Sequence, residues 1–67
     1  MQSLELYPGI ISNPDIFDGK PVIKGSRVPV ALVLGQLASG MGADEIAREY
    51  DITVEDIHTA LGYWYGP

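Results

Sequence analysis

"ADEIAREYDITVEDIHTAL", residues 43 to 61, is the stretch whose reading decides the fold. Ala43, Ile46, Ala47 and Tyr50 recur at the spacing of one helix face, and the pattern then breaks at Asp51. It resumes with Val54, Ile57, Leu61 and Trp64. Asp44 and Glu45 stand in the first turn of the first helix, where the helix dipole favours anions. Asp51, at the break, tolerates the left-handed backbone that a tight turn requires. Thr53 has the side chain of an N-cap, and Asp56 three residues on makes a shorter version of the capping box. The spacing therefore predicts one helix from near Gly42 to Tyr50 and another opening on Thr53, which is the sequence shape of a helix-turn-helix unit. In such a unit Ala47 lies where the helices cross closely, Ile52 fills the turn, and Ile57 and Leu61 anchor the second helix.

Upstream, Val30, Val33, Leu34, Leu37 and Met41 mark a further helix face. Pro29 suits its first turn and Gly40 is placed to end it, so this helix is expected over about residues 29 to 40. Residues 1–28 hold three of the five prolines and the turn signals "PG" at 8 and 9, "NPD" at 13 to 15 and "DG" at 18 and 19. Long helices cannot form there. The apolar pairs Ile10–Ile11, Ile16–Phe17 and Val22–Ile23 suit short strands in a hairpin or small ribbon, with Asp18 and Gly19 at a hairpin turn. Pro21 cannot donate to a ladder, which places its strand at an edge or makes it the strand's first residue. The fold class read from these patterns is mainly α: a single domain, with a β-ribbon over 1–28 and a three-helix bundle over 29–67.

A chain of 67 residues has no room for a deep substrate cleft. A domain this small hides only about 60% of its unfolded surface, and one core of this size rarely supplies more than roughly 3–5 kcal/mol. Cysteine is absent and His58 stands alone, so neither disulfides nor a zinc site supplement the core, and self-association is the remaining common device. No cofactor, metal or small-molecule substrate is expected. No stretch approaches a membrane span and the start lacks a signal peptide's basic flank and apolar run, which reads as a cytoplasmic protein. His58 has no Ser, Cys or carboxylate constellation assigned to it, and Asp44 and Glu45 are adjacent on a helix and point apart. Catalysis is not expected.

The net charge of −5 argues against strong sequence-independent affinity for a phosphate backbone. A DNA-reading helix presents Arg, Lys, Asn or Gln to base edges, whereas this one offers Thr53, Glu55, Asp56, His58 and Thr59. Two readings stand here: a DNA reader, and a helix-turn-helix shape kept as a scaffold. Any grip on DNA must draw on Lys20, Lys24 and Arg27, all within "GKPVIKGSRVPV" at 19 to 30. That stretch lacks the GxxxxGK spacing of a phosphate-binding loop. Its plain reading is a strand edge guarded by Lys20 and Lys24, with Gly25 and Ser26 bending the chain toward the first helix. Its sharper reading makes Arg27 architectural, a guanidinium held by that bend and paired with a carboxylate, while the two lysines stay free for phosphate or a partner's acids.

The chain resembles a known family over nearly its whole length. Ile11 with Pro14 and Asp15, "GKPVIKGSR" from Gly19 to Arg27, "PV" at Pro29 and Val30, Gly40, and "AL" at Ala60 and Leu61 follow the pattern of the DUF 433 family, with Ser26 where Thr is usual. The resemblance implies a homeodomain-like three-helix fold behind a β-ribbon. It also implies a VapB-type antitoxin role, with a PIN-like ribonuclease toxin and operator DNA as partners. The alternative is an interaction or structural domain that binds no nucleic acid.

Tyr63, Trp64 and Tyr65 are consecutive on a helix and cannot all enter one small core. Trp64 is expected inside, with its truncation to alanine costing about 3–5 kcal/mol, and Tyr63 or Tyr65 at an interface. A homodimer is expected, because three short helices can hardly cover the apolar residues of the ribbon. The interface residues read from sequence are Ile10, Ile11, Val22, Ile23, Leu32, Tyr63 and Tyr65; those for DNA or a partner are Lys20, Lys24, Arg27, Thr53, His58 and Thr59.

Overall fold

The computed structural model describes residues 3–66. Strands β1 (Leu4–Tyr7), β2 (Ile10–Ser12) and β3 (Val22–Ile23) precede helices α1 (Val30–Ala38), α2 (Ala43–Tyr50) and α3 (Val54–Tyr65). The strands form one antiparallel sheet in the order β1-β2-β3, with a bulge in β1 between Glu5 and Tyr7. The structure is thus α-rich, three helices behind a small N-terminal sheet.

Each boundary has a local cause. Gly9, at φ +94°, lets the chain reverse between β1 and β2. α1 and α2 end alike: the residue after the helix turns left-handed (Gly40 at φ +101°, Asp51 at φ 57°), and the next N–H reaches back five residues. Met41 N–H donates to Gln36 O and Ile52 N–H to Ala47 O, both at 3.0 Å, which is the Schellman closure of a helix C-terminus. α3 opens on the full reciprocal box, with Asp56 N–H donating to Thr53 Oγ1 at 2.9 Å and Thr53 N–H to Asp56 Oδ2 at 3.1 Å. The helix expected over 29–40 runs one residue short at its start and two at its end.

The ribbon departs from the sequence reading in two ways. Ile16 and Phe17 form no strand; Phe17, Asp18 and Gly19, at φ 50°, 57° and 83°, make a left-handed turn inside the connection from β2 to β3. Two hairpins form, the first turning at Pro8–Gly9 and the second joining β2 to β3 through the turn at Asp18 and Gly19, and the strand that opens the sheet, "LELY", carries three exposed residues. Strand propensity at a sheet edge depends on what the strand pairs with, so an exposed, mixed segment gives little signal of its own.

The core is built from both halves of the chain. Ile10 and Ile23 of the sheet meet Val30 and Val33 of α1, Ile46 of α2, Ile52 of the turn, and Ile57 and Ala60 of α3. Ile10, Val22 and Ile23 are therefore core residues, at most 1% exposed, and not an interface between copies. The ribbon is not an appendage awaiting a partner; it is the lid of the helical core. α3 packs against α1, α2 and β2. Two glycines allow that approach: a Cβ at Gly9 would lie 2.8 Å from the Thr59 methyl, and one at Gly62 would lie 2.6 Å from the Tyr7 hydroxyl.

Candidate functional site

The segment 19–30 folds as a strand, a tight turn and a return. Ser26 N–H donates to Ile23 O at 3.0 Å, closing a turn whose third residue is Gly25 at φ +80°, the left-handed position of a type II turn. Ser26 Oγ donates to Ile23 O at 2.8 Å and accepts from Val28 N–H at 3.0 Å, so its hydroxyl fixes the corner from within. Val22 then bridges to Pro29, and Val30 N–H donates to Pro21 O at 3.0 Å, which sets the start of α1 against the sheet. Ser26 is the architectural residue here. Arg27 is exposed, and among the described residues the one ion pair is Lys24 Nζ to Glu5 Oε2 at 3.7 Å. Within the chain a lysine pairs with Glu5 of β1, and Arg27 has no carboxylate within 4.0 Å among the described residues.

The six residues read as contacts for DNA or a partner are not brought together as one surface. Thr53 spends its hydroxyl on the α3 cap, and Thr59 is half-buried against Gly9. Lys24 is engaged with Glu5. His58 is exposed on α3, and the exposed Glu55 and half-buried Asp56 are the other polar groups of its first turns. Lys20 lies elsewhere, beside Tyr63 and Trp64. No group of three His, Cys, Asp or Glu side chains is placed to hold a metal among the described residues.

The structure gathers a different surface, along the seam between α1 and the last two turns of α3. Trp64, expected in the core, is 63% exposed. Its position seven residues after Ile57 does aim it at the core side of α3, but periodicity gives direction only, and α3 runs past the end of the core. Tyr63 takes the inner role instead, half-buried and edge-on to Tyr7 with ring centres 6.0 Å apart. Tyr65 is 75% exposed, Ile11 half-buried, and Leu32 half-buried without joining the core. Trp64 forms the wall between two hollows. One, of about 160 Å³, is lined by Lys20, Pro21, Pro29, Val30, Ala31 and Tyr63. The other is lined by Leu34, Leu37, Ala38, Leu61 and Tyr65. Lys20 is the one charged residue in either lining. The signal that could have found this face is the absence of any charged side chain from Val28 to Ala43 and again from Thr59 to Gly66.

Known proteins share this architecture. A solved structure of Rv2018 from Mycobacterium tuberculosis superposes with a TM-score of 0.72 at 36% identity, covering 78% of this chain and 24% of that one. The uncharacterized protein Rv2308 from the same species, strain ATCC 25618 / H37Rv, is 26% identical over 57 residues, 85% of this chain and 24% of its own length. The chain therefore spans about a quarter of the length of each of these relatives. The family described as "Protein of unknown function (DUF433)" matches residues 10–64, from the first core residue of β2 to Trp64 itself, and the chain belongs to that family.

Proposed function

We propose that the chain is a small protein-binding module whose working surface is the α1–α3 seam. The observation that carries this reading is Trp64, a large aromatic 63% exposed between two apolar hollows. An indole in water next to apolar depressions is the arrangement that anchors protein interfaces, where Trp and Tyr are enriched and charge is depleted. The α2–turn–α3 unit is read as a homeodomain-like helix-turn-helix kept as a scaffold. Its second helix offers Glu55, Asp56 and His58 to solvent, and the two carboxylates oppose phosphate.

The antitoxin role implied by the family resemblance is one specific form of this reading, with a PIN-like ribonuclease as the protein bound. Trp64 is the single tryptophan, so its emission reports directly on the surface in question. Titrating the chain with a PIN-like ribonuclease, the partner that the resemblance implies, is expected to shift that emission to the blue. The DNA upstream of its gene is expected to leave the emission unchanged and to be released as salt rises. Retention of that DNA with sequence preference at raised salt, with no response to protein, would reject the proposal in favour of a DNA reader.

A further inference from the structure

We infer that the α1–α3 face is occupied by a second copy of this chain, placed by a two-fold axis that seats each Trp64 indole in the Pro21–Pro29–Ala31 hollow of the other. The inference rests on reading the seam as a protein-binding surface, and it names the partner.

Three observations lead to it. α1 carries no charged side chain on any side, and its outward residues Ala31, Gly35 and Ala38 are exposed. A helix without a charged face is normally covered, because a surface helix otherwise shows one to solvent. Small outward residues also let another helix approach closely.

The second observation is shape. A projecting ring and an adjacent hollow lie on one face, and such a face is complementary to itself. A two-fold axis beside Trp64 places ring in hollow twice, the isologous arrangement of cyclic dimers. The hollow of about 160 Å³ is close to the roughly 150 Å³ of an apolar cavity that takes up a benzene ring.

Charge selects the occupant. Two copies carry −5 each, so they repel through any face that bears their acids, and this face bears none. Lys20, at the rim, is the one charged residue beside the hollows and stands clear of the apolar centre. Like charge is thus excluded from the centre of the contact.

The test is sedimentation velocity on the full chain, diluted from about 100 µM, a concentration at which a micromolar dissociation constant leaves most chains paired. A dimer is expected, with Trp64 emission moving to the red as it dissociates. Trp64→Ala, and separately Ala38→Glu at an exposed position, are each expected to weaken association about thirtyfold or more, with circular dichroism unchanged. If one variant fails to fold, the other reads the same interface. A chain that stays monomeric, or a dimer that both variants leave intact, overturns the inference. If a monomer still binds the ribonuclease and loses it on Trp64→Ala, the second copy is rejected while the protein-binding surface stands. If Trp64→Ala changes neither association nor ribonuclease binding, both readings fall.

Discussion

The two ends of α3 obey the same helical spacing and have opposite fates. At its start every device of a stable helix is used: Thr53 and Asp56 close the capping box, two acids sit in the first turn, and Ile57 is fully buried. At its end there is no basic residue in the last turn, and Trp64 and Tyr65 project into solvent. The first end is satisfied within the chain. The second leaves Trp64 and Tyr65 uncovered, and the difference teaches where the domain spends its side chains on stability and where on contact.

Substitutions can break or sharpen this contrast. The largest effect is expected at Ile57→Ala, which empties a fully buried site and should cost about 2–5 kcal/mol by chemical denaturation, a large part of the stability of so small a domain. A loss below about 1 kcal/mol would mean that the start of α3 is not the anchored end.

Next comes Gly9→Ala, which forces a side chain to φ +94° and against the Thr59 methyl. Thermal unfolding should show a loss of roughly 1–3 kcal/mol. Smaller again is Thr53→Ala, about 1 kcal/mol, because one member of the capping box is removed from a helix that tertiary contacts also hold. Thr53→Ser should recover most of it. If the serine variant is as unstable as the alanine one, the hydroxyl is not what caps α3.

The smallest effect on folding is expected at Trp64→Ala. Measured at a concentration where the chain is monomeric, stability should change by no more than about 0.5 kcal/mol, as for other surface positions. That value replaces the several kcal/mol expected for a buried tryptophan. A loss of that older size would move Trp64 back into the core and erase the contrast between the two ends.

Much of the fold was legible in the residue pattern. The start of α3 at Thr53, the left-handed turn at Asp51, the stop at Gly40 and the bend at Gly25 and Ser26 are all short-range effects. Each depends on backbone conformation and on partners at most five residues away, so the sequence carries them whole. β1 was missed because an exposed edge strand is specified by its pairing with β2 rather than by its own composition. The candidate site was half legible. The long charge-free runs were visible, but the residues first assigned to DNA or a partner fell on scattered parts of the surface.

By itself, then, the sequence determined the helices, their caps and turns, the family, and the charge that disfavours phosphate. Only the tertiary structure decided which apolar residues are interior. Ile10, Val22 and Ile23 passed from expected interface to core because the ribbon folds over the helices. Trp64 passed from core to surface because it stands between two hollows that no other element of the chain fills. Periodicity states the direction in which a side chain points; burial depends on whether another element of the chain reaches that place, and that is a property of lengths and crossings no local pattern contains.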